Sequence, residues 1–260
     1  MKTKILLIGL LTLSALQARE WPVVSAEIWA MKEDQAKGIK DAVILENRTI
    51  FKTYSMERII RIRILSEAGK MAARLPEFSG ECHSFDGRTV YPDGKVLSFE
   101  ARQDFQSVPV SVGNFEEKRT VLIPPGLTAD CLVELRWVEN TLLDWLPTRM
   151  GNWHYWRFGS EYYTLIESIK VPKKFRLSYT AMHGSLRLSV TESENDRDFW
   201  AKDIPATESE LYSLSFFMDR PVFQAFYQPQ RMFKTVKEGS SVYWKALGTK
   251  FYQGYFEDSI

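Results

Sequence analysis

The stretch Arg58-Ile59-Ile60-Arg61-Ile62-Arg63-Ile64-Leu65 decides the fold. Ile60, Ile62 and Ile64 alternate with Arg61 and Arg63. In an extended chain, neighbouring side chains point to opposite faces, so the isoleucines line one side and the arginines the other. Just upstream, residues 42–51 are rich in β-branched and long apolar side chains, and Lys52 to Ser55 links the two runs as a hairpin. Downstream, the alternation returns at Val133, Leu135 and Trp137, at Phe175, Leu177 and Tyr179, and at Leu186, Leu188 and Val190. Tyr162 to Val171 reads as a further strand. Ala68-Gly69, Asp86-Gly87, Pro92-Asp93-Gly94 and Pro125-Gly126 supply turn residues between them. Short strands with such punctuation predict a mostly β chain, an antiparallel β-sandwich of immunoglobulin-like or related form.

The ends read differently. Lys2 and Lys4 precede an apolar run from Ile5 to Leu13, and Ser14, Ala15 and Ala18 follow. That order is the pattern of a secretory signal peptide, residues 1–18, and the run is short for a membrane span. Residues 19–236 are expected to form the β-sandwich domain. Trp244, Leu247, Phe251 and Tyr255 recur at helical spacing after the caps Ser240 and Ser241, so residues 237–260 are expected to form a short C-terminal helical segment. A short helix is also expected over residues 28–37.

The formal charge is +1, and loss of the leader with its two lysines takes it to −1. Such a chain has no electrostatic pull toward nucleic acid or anionic lipid. Nucleic-acid binding and stable membrane insertion after leader cleavage are therefore not expected, and the location is periplasmic or secreted.

Chemistry-bearing residues are sparse. Cys82 and Cys131 are the two cysteines. They leave two readings open: a disulfide, favoured by an oxidising compartment, or two buried thiols. Cys82-His83 sits in an extended run, where adjacent side chains diverge and cannot form a dyad. His83, His154 and His183 show no metal-ligand spacing, and no metal or cofactor is expected. Glu192, Glu194, Asp196 and Asp198 read as a solvated loop, with calcium binding as the weaker alternative. Asn47-Arg48-Thr49 matches a glycosylation sequon. The aromatic segment Trp145, Trp153, Tyr155, Trp156 and Tyr162 is the candidate ligand surface, since exposed rings stack on sugars or anchor a peptide. The alternative is that these rings fill the core.

Several landmarks, in order, resemble the domain of unknown function 3857 family. They are Asp41 to Glu46, Arg58 to Gly69, Tyr91-Pro92-Asp93-Gly94-Lys95-Val96, Ile123-Pro124-Pro125-Gly126, Cys131 to Val138, Ile169-Lys170-Val171-Pro172 and Ile204 to Glu208. The resemblance implies a β-sandwich module of exported bacterial proteins that usually precedes a transglutaminase-like domain of papain-type chemistry. It carries over no catalytic residue, and the apolar segment near Trp244 is similar to the lead into that missing domain. The expectation is a non-catalytic module that binds, positions or regulates a partner such as that domain. The alternative is a carbohydrate- or peptide-binding module using the aromatic cluster, with a polysaccharide or a protein as partner.

Overall fold

The computed structural model describes residues 21–52, 55–76, 82–100, 104–112, 115–140, 152–173, 175–182, 188–206 and 222–229. The expected leader and the C-terminal helical segment lie outside them. The chain divides into two units, Met1–Ala30 and Met31–Ile260. The first contains one described helix, α1 (Ala26–Ala30). The helix expected over residues 28–37 thus ends at Ala30. Further on, Gln35–Lys37 forms only a 3-10 turn, capped by Asp34, whose carboxylate accepts from the amides of Ala36 and Lys37. Among the described residues no helix is long and apolar enough to cross a membrane.

The second unit is built of strands. Among the described residues, eight strands form one sheet: β1 (Ala42–Phe51), β2 (Ser55–Ile64), β4 (Cys82–Val90), β5 (Val96–Phe99), β8 (Leu132–Asn140), β10 (Tyr163–Pro172), β12 (Ser189–Glu192) and β13 (Asp196–Ile204). Their order is β12-β13-β10-β1-β2-β8-β4-β5. A second sheet has the order β3-β7-β6, from β3 (Leu75–Pro76), β7 (Phe115–Ile123) and β6 (Gln106–Val112). A third has the order β11-β14-β9, from β11 (Phe175–Met182), β14 (Val222–Pro229) and β9 (Asn152–Arg157). The sheets are mostly antiparallel, as expected, with one correction: β1 and β10 run parallel at the middle of the large sheet.

The alternation at β2 sorts the large sheet into two faces. Ile62 and Ile64 join Val133, Leu135 and Trp137 of β8, Phe85 of β4 and Phe99 of β5 in one buried cluster. Leu75 of β3 and Leu122 of β7 belong to the same cluster, so the β3-β7-β6 sheet closes this face as a sandwich. Phe105 meets Phe85 edge-on at 4.9 Å and Phe99 edge-on at 5.5 Å. A second cluster gathers Phe51, Phe158, Ile169, Val171, Phe199, Ala201 and Ile204 around β10 and β13.

One turn expectation is corrected. Asp86-Gly87 lies inside β4, opposite Arg136 and Leu135, because a Cβ on Gly87 would fall 2.2 Å from the Phe99 ring. Its glycine serves close approach to an aromatic ring rather than a reversal of the chain. Ala68-Gly69 opens a 3-10 turn, Ala68–Ala73. Pro92-Asp93-Gly94 does turn the β4–β5 hairpin, with Gly94 at φ 84° donating to the Tyr91 carbonyl at 2.9 Å.

Candidate functional site

The isoleucine face carries a polar belt between its two apolar clusters. Across the sheet, Glu167 of β10 stands opposite Asn47 of β1, and Arg58 of β2 stands opposite Trp137 of β8. Asn47 Nδ2 donates to Glu167 Oε1 at 2.8 Å, and the Gly159 amide donates to Oε2 at 2.7 Å. Trp137 Nε1 donates to Glu139 Oε1 at 2.5 Å. The Arg58 guanidinium lies over the Trp137 indole, 5.3 Å from the ring centroid. Burial pulls the Arg58 pKa below the usual arginine value, and the charges of Glu139 and Glu167 work against that fall. The Asn47 sequon is thus mid-strand, with its amide engaged in a side-chain bond.

The opposite face carries a ladder of ion pairs. Arg61 Nε donates to Glu134 Oε1 at 2.7 Å, and Arg88 Nε donates to Glu134 Oε2. The three stand on adjacent strands β2, β8 and β4 in register, so one carboxylate ties three strands. Glu134 is fully buried. Arg63, also buried, pairs with Asp130 and donates to the Ile64 carbonyl at 2.7 Å. These arginines, which as sequence only marked a polar face, are largely buried.

The described aromatic candidates fall on β9 and just before β10, strands of two different sheets. Trp145 lies outside the described residues. Trp153, Tyr155 and Trp156 fall on β9, opposite Phe226, Gln224 and Phe223 of β14. Tyr162 is elsewhere, partly buried against the large apolar cluster; burial, then Glu161 and Asp41, raises its phenol pKa.

Of the two cysteine readings, the structure favours the thiols: Cys82 and Cys131 are not joined in a disulfide. Cys82 stands opposite Glu139 at one end of the β4–β8 pair, and Cys131 precedes Leu132, which stands opposite Val90 at the other end. At about 3.3 Å per strand residue the two are roughly 25 Å apart, far beyond disulfide reach. Burial pushes the Cys131 thiol up, against smaller opposing effects from Thr128, Arg63 and Lys70. A nucleophilic thiol needs the reverse shift.

The acidic stretch, read as a solvated loop, is the β12–β13 hairpin, and three of its four carboxylates are paired. Glu192 meets Lys173 and Arg197, Asp196 meets Lys170, and Asp198 meets Arg48. Neither the belt nor the ladder was anticipated as a site. The sequence signal for both was the charge within the alternating runs, at Arg58, Arg61, Arg63 and Glu134.

No family model matches the chain, and neither does any curated protein. Among solved structures, an M1 zinc metallopeptidase from Deinococcus radiodurans overlaps 72% of this chain and 43% of its own, at 10% identity and a TM-score of 0.29, too low to compare folds. A chain from Parabacteroides distasonis described as a putative protease overlaps 84% of this chain at 13% identity, with a TM-score of 0.53. At that identity the likeness is one of fold, and the chain spans only 47% of that neighbour's length.

Proposed function

We propose that the chain is an exported, non-catalytic β-sandwich module that binds, positions or regulates a partner, such as a transglutaminase-like domain of papain type. The observation that carries this reading is the match to 47% of a longer chain: the same fold occurs there as one part of a larger polypeptide. The buried charges support it, since Glu134 is held by Arg61 and Arg88 and serves to register strands. The test is to assay the purified chain for amidase, protease and cross-linking activity, and to measure its binding to a purified transglutaminase-like domain. Binding without turnover is expected. Turnover that disappears on Cys131→Ala overturns the reading. Export is checked by the mass of the processed chain, expected to begin after Ala18.

A second reading follows from β9. Among the described residues this aromatic strand pairs only with β14, which leaves it at the edge of its sheet. An edge strand can accept a peptide by strand addition, and its aromatic positions can meet a sugar or side chain. Trp153→Ala and Trp156→Ala should then weaken retention on immobilised peptide or polysaccharide without lowering the melting temperature. Unchanged retention excludes this reading.

A further inference from the structure

We propose that the polar belt of the isoleucine face is a binding site for an amide group, with Arg58 as donor and Asn47 as acceptor. Arg58 Nε is buried without a hydrogen-bond partner, and so is Asn47 Oδ1. The two residues are diagonal neighbours, since Asn47 stands opposite Ile60 and Arg58 opposite Thr49. Diagonal pairs on one face lie about 7–8 Å apart, within reach of long side chains. Buried donors and acceptors are nearly always paired, so an unpaired donor beside an unpaired acceptor describes the complement they need. The carboxylates nearby are already engaged: Glu139 accepts from Trp137, and Glu167 accepts from Asn47 and Gly159.

Charge selects among ligands. Two carboxylates flank the single Arg58 cation, so a further anion would be repelled. A neutral amide is not, and it offers a carbonyl for Arg58 and an N–H for Asn47. Trp137 supplies an apolar wall beneath the guanidinium. The Arg58 residue as a whole keeps partial exposure, although its Nε does not. The site rests on the docking reading only for the identity of its partner, which would present either backbone amides or a carboxamide side chain.

The experiment uses the full chain, isotopically labelled, and follows the Arg58 Nε–H and Trp137 indole N–H resonances by NMR. The probes are N-acetylglycine N-methylamide for the backbone, propionamide for the side chain and acetate for an anion. A saturable shift with one or both amides, and none with acetate, is expected. The stronger amide identifies the source. Asn47→Ala should weaken the indole response at least several-fold. Arg58→Lys, which keeps a cation but removes Nε, should abolish it; should that variant not fold, the Asn47→Ala arm decides. Shifts that never saturate, that acetate reproduces, or that survive Asn47→Ala overturn the proposal and leave the position to solvent. Such a failure would leave partner binding, measured separately above, untouched.

Discussion

At the scale of single residues, the buried charges are the most consequential feature. Glu134 offsets two arginines on neighbouring strands, and its removal would leave both without their shared counter-charge. Glu134→Ala should therefore lower stability by about 3–5 kcal/mol in urea unfolding, while Glu134→Gln, which keeps an acceptor, should cost less. A loss below about 1 kcal/mol would mean that the ladder behaves like a surface pair. Tyr163 offers a pH-dependent counterpart. Burial, with the hydrogen bond to Asp203 at 2.6 Å, pushes its phenol up to about 12 from the ordinary 10.0. The folded state therefore holds this proton longer than the unfolded chain. Its contribution is fully present below pH 10.0 and is lost as pH rises through about 12. Tyr163→Phe should flatten the fall of melting temperature over that window. An unchanged slope would exclude Tyr163 as its source.

At the scale of elements, alternation was the legible part. β2, β8 and β11 follow from apolar residues at every second position, β1 from its β-branched and apolar content, and the hairpin at Lys52 from its position between β1 and β2. The β3-β7-β6 sheet was not legible. β3 pairs with β7 far along the sequence, and Glu116, Glu117, Lys118 and Arg119 obscure the period along β7. The polar belt was hidden for a related reason. Arg58 and Trp137 meet only through β2–β8 register, which no local pattern encodes. Gly87 shows how a local signal can mislead, since Asp-Gly marks a turn in most contexts but here admits a ring. Gly87→Ala should destabilise the β4–β5 hairpin by about 1–3 kcal/mol through the clash with Phe99. Thermal unfolding of that variant, with Phe99→Leu as the relieving second change, checks it; no recovery in the pair would place the strain elsewhere.

At the scale of the molecule, the order of strands sets the folding problem. The first cluster is drawn almost wholly from residues 42–137, and the second mainly from residues 158–204. β1 and β10 join them in parallel, and pairings between such distant residues form slowly. Refolding followed by tryptophan fluorescence should show a phase in the millisecond-to-second range or slower, with Asn47→Ala slowing it if the seam forms before the barrier. Complete refolding in microseconds would contradict this topology.

The same strand order has a practical consequence. β1, β2, β8, β4 and β5 are contiguous in the large sheet and come from the earlier part of the chain, whereas β10, β13 and β12 come from the later part. One seam divides them, sewn by the β1–β10 ladder, the Asn47–Glu167 bond and the Arg48–Asp198 pair. Among the described strands, two polypeptides cut between β8 and β9 would pair along the β1–β10 edge. Fused to interacting proteins, they would act as a complementation reporter whose signal depends on reunion of that edge.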